Sequence, residues 1–429
     1  MRKINCIVAG LLIALSFASC SKDTTPTSNS TKPNILLIIA DDLGKDAISG
    51  YQEGSIKPNT PNIDAIRTQG LLFQNFWVNP TCTPTRASII TGKYGYHTGV
   101  KGVGDVLNSS ETVIQKYIND NTSNNYATAV VGKWHLAGNN ANFNPESFGI
   151  DYYAGLIRGA ADNYYQWQLT EDGAASLQTN YVTEVFTDKA IDWVKDQSQP
   201  WFLWLAYNAP HTPFHVPPAN MHSQGNLPAY TAGMNALPYY IAAIEAMDFQ
   251  IGKLLDNIPT EERENTILLF IGDNGTPNQV VQSPYTSSSA KNTLYQGGIN
   301  VPLFIAGKGV TRTGVDNNLI TGTDLFATLA QLAGVEVEAY EDSKSFKSLL
   351  SSSSTIRQFQ YSELKDGAAE SWTISNGTYK LLVRSNGNEE LYHLPVDPYE
   401  QNNLPHGSLP SEAAAAKMEL EIELSTIRQ

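Results

Sequence analysis

Five continuous apolar runs recur along the chain, and each is typical of a strand that is buried on both faces of a sheet. The runs cover Asn34–Ala40, Ala127–Val131, Trp201–Tyr207, Thr266–Ile271 and Val301–Ala306. Amphipathic patterns with helical spacing lie between them, notably over Tyr181–Asp196, Tyr239–Ile258 and Asp324–Ala333. Strands that alternate with helices predict an α/β fold, with a large, mostly parallel sheet flanked by helices on both faces.

A smaller unit is predicted after the polar segment Ser351–Thr355. The chain beyond it has short stretches of alternating polarity and then an acidic helical stretch, over Ser371–Ser375, Tyr379–Arg384, Glu390–Leu394 and Glu412–Ile427. This pattern is typical of a small antiparallel sheet with a closing helix. We therefore expect a large α/β domain over residues 33–350 and a C-terminal α+β subdomain over residues 351–429.

The first 32 residues have the composition of an export signal followed by a tether. Arg2 and Lys3 precede an apolar stretch from Ile7 to Phe17 that is too short for a permanent membrane span, so residues 1–19 are interpreted as a signal peptide. The segment ending in Cys20 resembles a bacterial lipobox, in which the cysteine is lipidated. We expect an exported protein, in the periplasm or at the outer membrane, attached only through a lipid on Cys20, with residues 20–32 as a flexible tether.

Charge and cysteine content narrow the function classes. The 429-residue chain has a formal charge of −14, which becomes −16 when Arg2 and Lys3 leave with the signal peptide. Such an acidic protein is a poor match for nucleic acid. Two of its three cysteines lie in the first 20 residues, so the mature chain keeps only Cys82 for chemistry and has no internal disulfide. The sequence gives no indication of oligomeric state.

Polar side chains follow four of the predicted strands directly. These strands lead into Asp41-Asp42, into Lys133-Trp134-His135, into Asn208-Ala209-Pro210-His211, and into Asp273-Asn274. In open parallel sheets, ligands bind outside the carboxyl ends of the strands. The sequence therefore predicts a site at that edge, although the order of the strands is not given by this pattern.

Three carboxylates and an amide are the metal-ligand candidates: Asp41, Asp42, Asp273 and Asn274. Such hard oxygen ligands suit one Ca²⁺ ion, or Mg²⁺ as the second choice, rather than zinc. Taken alone, the Asp41-Asp42 pair is equally well explained by a helix N-cap, and the Asp273-Asn274 pair by a turn. Because both pairs follow apolar strands, we favour a metal site.

Several cationic side chains are predicted to surround that ion, namely Arg86, Lys133, His135, His211 and Lys291. His215 is assigned to the wall of the same pocket. The remaining histidines, His97, His222, His393 and His406, are interpreted as packing or surface residues. Spacing alone would leave Lys291 as a solvated lysine.

The segment Cys82-Thr83-Pro84-Thr85-Arg86 resembles the first signature of the type I sulfatase family, within the alkaline phosphatase superfamily. The run Tyr126–His135 is similar to the second signature, and the segments Asn208–Pro213, Asp273–Gly275 and Lys291–Pro302 resemble the other site segments of the family. Departures occur at Asn125, Ile271-Gly272, Asn292, Gln296 and Asn300. The last two stand where the family commonly has a Glu and an Arg, and the departures beside Lys291 bear on the shape of the pocket.

The resemblance implies that a maturase oxidises Cys82 to formylglycine (3-oxoalanine) before export. The hydrated aldehyde would attack sulfur, and Ca²⁺ would be bound by the four oxygen ligands and by the modified residue 82. By the same match, Arg86 and Lys133 would hold the oxygens of the nucleophile, and His135 would assist in deprotonating its second hydroxyl. His211 and Lys291 would bind sulfate and protonate the departing oxygen.

Two other functions stay open on sequence alone. One is a phosphodiesterase or phosphomonoesterase of the same superfamily. Such enzymes usually bind two metal ions, and the sequence offers no ligands for the second, since Asn274 follows Asp273. The other is a non-catalytic, glycan-binding surface lipoprotein.

A sulfated carbohydrate is the predicted substrate. The segment Thr212–Ala236 is expected to form a pocket wall. An aromatic stretch could stack on sugar rings or pack in the core, and it comprises Tyr152, Tyr153, Tyr164, Tyr165 and Trp167. The sequence specifies neither the sugar nor the ring position of the sulfate.

Overall fold

A ten-stranded sheet forms the centre of the computed structural model, which describes residues 32–140 and 142–429. From one edge to the other its strands are ordered β10-β2-β9-β8-β1-β7-β3-β4-β5-β6. Their bounds, in chain order, are β1 Asn34–Ala40, β2 Leu71–Trp77, β3 Ala127–Lys133, β4 Tyr152–Leu156, β5 Trp167–Glu171, β6 Ala174–Gln178, β7 Trp201–Ala206, β8 Thr266–Gly272, β9 Leu303–Gly307 and β10 Gly314–Thr321.

Five neighbouring strands in the middle, β8, β1, β7, β3 and β4, are mutually parallel. The sequence predicted strands over four of these within two residues of their observed bounds. The fifth predicted run, Val301–Ala306, forms β9, which is antiparallel to both β8 and β2. An irregular segment with the short helix Gln296–Ile299, and no long crossover helix, lies between β8 and β9, so the chain re-enters the sheet from its carboxyl edge.

Helices cover both faces of this sheet. Their bounds are α1 Pro61–Gln69, α2 Cys82–Thr91, α3 Gly95–Thr98, α4 Ile114–Thr122, α5 Val182–Lys195, α6 Leu237–Asn257, α7 Thr260–Glu264, α8 Gln296–Ile299, α9 Asp324–Leu332 and α10 Ser411–Ile427. The two faces of β1 show the division: Leu36 and Ile38 pack in one core with α1, α5 and α6, whereas Ile35 and Leu37 pack in the other with α2, α4 and α9. The predicted α/β class is confirmed.

A separate four-stranded antiparallel sheet follows, after the short hairpin of β11 (Ala339–Tyr340) and β12 (Ser343–Lys344). It consists of β13 Gln360–Asp366, β14 Ala369–Ser375, β15 Tyr379–Val383 and β16 Glu389–His393. Helix α10 closes it, because Ala413 and Leu420 pack against Ile374, Leu381 and Leu391. The predicted C-terminal sheet and helix are therefore present.

The predicted export signal, Cys20 and most of the predicted tether lie outside the described residues. Within the part of the chain that is described, we find no helix with the length and apolar character that a bilayer span requires.

A buried ion pair connects the C-terminal sheet to the main domain. Lys380 of β15 and Glu400 are both buried and in contact, and Lys380 Nζ also donates to the Leu294 carbonyl at 2.6 Å. The second carboxylate oxygen of Glu400 accepts from the backbone N–H of Gln296 at 2.6 Å. Removing one partner of a buried pair leaves the other charge without compensation, which is costly.

We predict that Lys380→Met lowers the free energy of unfolding by about 3–5 kcal/mol, measured by urea denaturation. The matched control is Lys365→Met on β13, whose Nζ contacts Asp105 at 3.0 Å with side chains 31% and 23% exposed. We expect the control to lose less than about 1 kcal/mol. Equal losses in the two variants would contradict the assignment of Lys380 and Glu400 as a structural link.

Candidate functional site

The four strands that end in polar residues are direct neighbours, in the order β8-β1-β7-β3. Their registers align the last residues, with Ala40 opposite Gly272 and Ile39 opposite Ala206. Backbone hydrogen bonds continue past the strands, from Asp41 N to Ala209 O and from Asp273 N to Ala40 O, both at 3.1 Å. The sheet therefore brings the polar segments after these strands to one edge.

The loops after β1 and β8 are joined through their acidic residues. Asp42 N donates to Asp273 Oδ1 at 3.0 Å, and Asn274 Nδ2 donates to Asp42 Oδ1 at 2.7 Å. The backbone of Asp42 has φ of +70°, a left-handed conformation that is unusual for a residue other than glycine. Such strain persists only where surrounding contacts enforce it, and it is concentrated at functional sites.

Three cations from three different segments neutralise these carboxylates. Arg86 of α2 donates from Nε and Nη2 to Asp273 Oδ2 at 3.1 and 2.7 Å, and from Nη1 to the Lys133 carbonyl at 2.8 Å. Lys133 Nζ lies 2.6 Å from Asp41 Oδ2, and Lys291 Nζ lies 2.6 Å from the Asp42 carboxylate. Burial opposes ionisation of Asp42, but Lys291, His211 and Lys133 hold its pKa below the ordinary range.

Cys82 is the first residue of α2 and is buried beside His135. Its Sγ lies 3.2 Å from His135 Nδ1, and burial raises the pKa of the thiol. Burial lowers the pKa of His135, and Lys133 and Arg86 lower it further, so the imidazole is neutral. A neutral imidazole in contact with residue 82 can accept a proton from it.

His211 follows β7 and lies beside the acidic cluster. Its Nδ1 lies 2.6 Å from the Thr212 carbonyl, which can only accept, so Nδ1 carries the proton. Its Nε2 lies 3.7 Å from Asp42 Oδ2. Tyr164 fixes this loop, because its hydroxyl lies 2.8 Å from the Asn208 carbonyl and 2.7 Å from that of His211.

His215, which the sequence assigns to the pocket wall, lies among aromatic side chains. Its ring stacks on Tyr164 with centroids 3.7 Å apart. Nε2 contacts the Tyr181 hydroxyl at 3.1 Å, and Nδ1 contacts the Pro213 carbonyl at 2.9 Å. Burial lowers the pKa of His215 to about 4. Both ring nitrogens therefore have partners in the protein, and the place of His215 in the pocket wall stays a prediction.

The predicted sugar-stacking stretch is largely part of the core. Tyr153, Tyr164 and Trp167 are buried, and only Tyr165 is substantially exposed, at 39%. The packing explanation therefore holds for the three buried rings.

Unpaired oxygen atoms at the same edge fit a divalent cation. Asp41 Oδ1 and Asn274 Oδ1 are buried and have no hydrogen-bond donor among the described residues. One possible metal-ligand atom from each of Asp41, Asp42 and His211 lies within 4.8 Å of the other two. Burial and the neighbouring Asp41 raise the pKa of Asp273 to about 6 against the effect of Arg86. These unpaired carboxylate and amide oxygens are suited to a hard metal ion.

Two contributors to the site were not predicted from the sequence. A methyl group on Gly159 would lie 2.3 Å from His135 Nε2, so this position needs glycine for close approach. The buried hydroxyl of Tyr240 in α6 donates to the Asp42 carbonyl at 2.6 Å. Neither residue lies in a recognisable local motif, and only the tertiary fold brings them to the site.

Comparison with known proteins assigns the chain to a family. A family model described as Sulfatase matches residues 33–335, which is more than half of the chain. The chain belongs to the sulfatase family. The family resemblance of the Cys82–Arg86 segment is thereby confirmed, and the residues described above occupy the family's matched region.

Two curated sulfatases illustrate the similarity. The chain is 27% identical over 375 residues to "Uncharacterized sulfatase YdeN" of Escherichia coli (strain K12) and 29% identical over 348 residues to the N-acetylgalactosamine-6-sulfatase of Homo sapiens. These alignments cover 73% and 71% of this chain but 65% and 62% of the relatives. The chain thus spans less than two thirds of the length of these sulfatases.

Solved structures agree in fold. The crystal structure of Ps i-CgsB in complex with k-i-k-neocarrahexaose matches with a TM-score of 0.79 and 25% identity, covering 93% of this chain and 94% of that chain. The structure of BT4656 in complex with its substrate D-glucosamine-2-N,6-O-disulfate matches with a TM-score of 0.77 and 21% identity, covering 93% and 98%.

We predict that Gly159→Ala destabilises this sulfatase by about 1–3 kcal/mol, because the added methyl group must displace the buried His135 ring. The free energy of unfolding in urea measures the effect. Gly407→Ala is the matched control, since a methyl group there meets no atom within 4 Å, and it should change stability by less than about 0.5 kcal/mol. If the Gly159→Ala variant is as stable as the wild-type protein, the close contact with His135 is refuted.

Proposed function

We propose that this sulfatase hydrolyses sulfate esters of a carbohydrate, with residue 82 matured from cysteine to formylglycine and with one calcium ion. The observation that carries the proposal is the position of Cys82. It begins α2 with Sγ 3.2 Å from a neutral His135, beside the Asp41, Lys133 and Lys291 charges. A buried thiol of raised pKa is a poor nucleophile as it stands, so this position calls for a modified side chain.

Calcium would be held by the oxygen atoms of Asp41, Asp42, Asp273 and Asn274, together with an oxygen of the modified residue 82. The orphaned Asp41 Oδ1 and Asn274 Oδ1 support this set. When bound, the ion would polarise the sulfate oxygens, and the hydrated aldehyde of residue 82 would supply a hydroxyl nucleophile for sulfur.

The protein's own residues then have distinct tasks. Lys133 and Arg86, which are buried in contact with Asp41 and Asp273, fix the cluster and place positive charge beside residue 82. His135 accepts a proton through Nδ1, at the position now in contact with Cys82 Sγ. Helix α2 presents its N-terminus to the sulfate, which adds a favourable dipole for an anion.

His211 and Lys291 serve the substrate side of the site. Both side chains are 15% exposed, unlike the fully buried Lys133, and can reach a ligand arriving from solvent. Because Nδ1 of His211 is committed to the Thr212 carbonyl, only Nε2 faces the site. In its cationic form, His211 can donate the Nε2 proton to the leaving oxygen, while Lys291 neutralises sulfate charge.

Carbohydrate as the substrate class is supported by two relatives. The N-acetylgalactosamine-6-sulfatase of Homo sapiens is 29% identical over the aligned region, and Ps i-CgsB, at 25% identity, was crystallised with a neocarrahexaose. We further propose, from the sequence of the first 20 residues, that the protein is exported and lipidated at Cys20 after maturation of Cys82.

The proposed maturation predicts a specific mass change. In protein produced with a formylglycine-generating maturase, mass spectrometry of the residue-82 peptide should detect an aldehyde (–CHO) in place of the –CH2–SH side chain of Cys82. The same preparation should release sulfate from sulfated saccharides, and Cys82→Ala should lose more than about 1000-fold in kcat. Protein produced without the maturase is the control. Turnover by protein that carries an unmodified thiol would refute the mechanism.

The proposed metal predicts calcium-dependent stability. At a calcium concentration 100 times the Kd, binding should stabilise the protein by about 2.7 kcal/mol, measured by urea unfolding with and without the ion. Asn274→Leu should abolish this increment because it removes a ligand oxygen. Asn121→Leu, on the exposed side of α4, is the control and should keep it. An unchanged calcium response in Asn274→Leu would exclude the assigned site.

A further inference from the structure

A cavity of about 340 Å³ lies between the end of β4, the loop that follows it, and strands β5 and β6. We call it the 158–170 cavity after its polar lining residues, Arg158, Asp162, Gln166, Gln168 and Thr170. Its volume is within the range of small-ligand sites, at the lower end. It is not part of the acidic cluster described above.

The polar side chains of this cavity have no partner in the protein. Among the described residues, none of the five makes a side-chain hydrogen bond, and Arg158 and Asp162 form no ion pair although four residues separate them on the same loop. Elsewhere in the site region, the cationic side chains Arg86, Lys133 and Lys291 are all paired. Arg158, Asp162, Gln166 and Gln168 are exposed and only Thr170 is buried. Their donors and acceptors therefore face solvent around one concavity, where a polar ligand can reach them.

The cavity shares a wall with the catalytic residues. The backbone of Trp134 and His135 donates to the carbonyls of Leu156 and Ile157, at 2.9 and 3.1 Å, so this segment runs directly beside them. Two residues further, Gly159 is in close contact with the His135 ring. Since His135 Nδ1 lies 3.2 Å from Cys82 Sγ, the His135 ring and residues 156–159 lie between residue 82 and the cavity.

The chemistry of the lining matches a sugar ring. A guanidinium, a carboxylate, two amides and a hydroxyl offer both donors and acceptors, as hydroxyl groups of a pyranose require. Leu156 and Leu177 add apolar surface for the faces of the ring. The single positive charge of Arg158 is accompanied by the negative charge of Asp162, so the lining has no excess charge that would select a second sulfate.

We infer that the 158–170 cavity binds the uncharged sugar residue next to the sulfated one in an oligosaccharide substrate. The inference rests on the proposed sulfatase function and adds to it a preference for oligosaccharides over monosaccharides. A glycan that bridges residues 156–159 places its sulfated residue at Cys82 and its neighbour among Arg158, Asp162 and Gln166.

The test uses a panel of sulfated disaccharides of known linkage, each with its matching sulfated monosaccharide. In matured protein, Arg158→Gln should lower kcat/KM for the preferred disaccharide about 10-fold or more and change that for the monosaccharide less than about 2-fold. Arg263→Gln is the matched control. It lies on α7, which leads into the amino end of β8 and thus at the opposite edge of the sheet, and it should change neither value.

Each alternative result counts against the inference in a different way. Equal losses on disaccharide and monosaccharide would place Arg158 in the catalytic pocket instead. A loss confined to disaccharides with a second sulfate would make the cavity an anion site. A wild-type protein that prefers no disaccharide over its monosaccharide would overturn the inference directly.

Binding separates this inference from the proposed reaction. Calorimetric titration of the disaccharides into Cys82→Ala protein, with and without Arg158→Gln, requires no turnover. Weaker binding by about 10-fold in the double variant supports the cavity even if no sulfate is released by the matured enzyme, and unchanged binding overturns it. Absence of sulfate release from the whole panel would refute the proposed function alone.

Discussion

Neutralisation of three buried carboxylates is the constraint on which the rest of the site depends. Asp41, Asp42 and Asp273 lie at the ends of two adjacent strands, where burial makes an uncompensated charge very costly. The compensating groups come from distant parts of the chain, namely Arg86 of α2, Lys133 of β3 and Lys291. Each ion pair therefore holds one segment in place, and Arg86 in particular fixes the helix whose first residue is Cys82.

The sequence predicts the members of this cluster better than their arrangement. Apolar runs that lead into Asp41-Asp42, Lys133 and Asp273-Asn274 indicate a sheet edge with concentrated polar groups, because carboxyl ends of parallel strands meet. The order β8-β1-β7-β3, which makes those ends adjacent, depends on long-range pairing that local patterns do not encode. Lys291 is the extreme case. It lies in an irregular segment with no periodic signal, and only the family signature distinguished it from a surface lysine.

Residues that act through backbone contacts are the ones that the sequence does not reveal. Tyr164 supports the His211 loop through two carbonyl oxygens, and Gly159 matters because a side chain there would collide with His135. A tyrosine in an aromatic stretch looks the same whether it packs, stacks on a sugar or holds a loop. The antiparallel direction of β9 is not given by the sequence for a related reason, since an apolar run shows burial but not direction.

The departures from the family pattern near Lys291 find a physical explanation in the C-terminal sheet. Gln296 and Asn300 stand where the family commonly has a Glu and Arg four residues apart, and here Asn300 Nδ2 donates to Gln296 Oε1 at 2.8 Å. A neutral pair holds this segment less strongly than charges would. Yet the C-terminal part of the chain makes three other contacts with this segment. The backbone N–H of Gln296 donates to Glu400, and the Leu294 carbonyl accepts from Lys380. The Tyr295 hydroxyl donates to Glu390 at 2.8 Å. The small sheet thus holds the segment that follows Lys291 through charged groups of its own. The loss of one local ion pair need not loosen the lysine, because the support comes from another part of the fold.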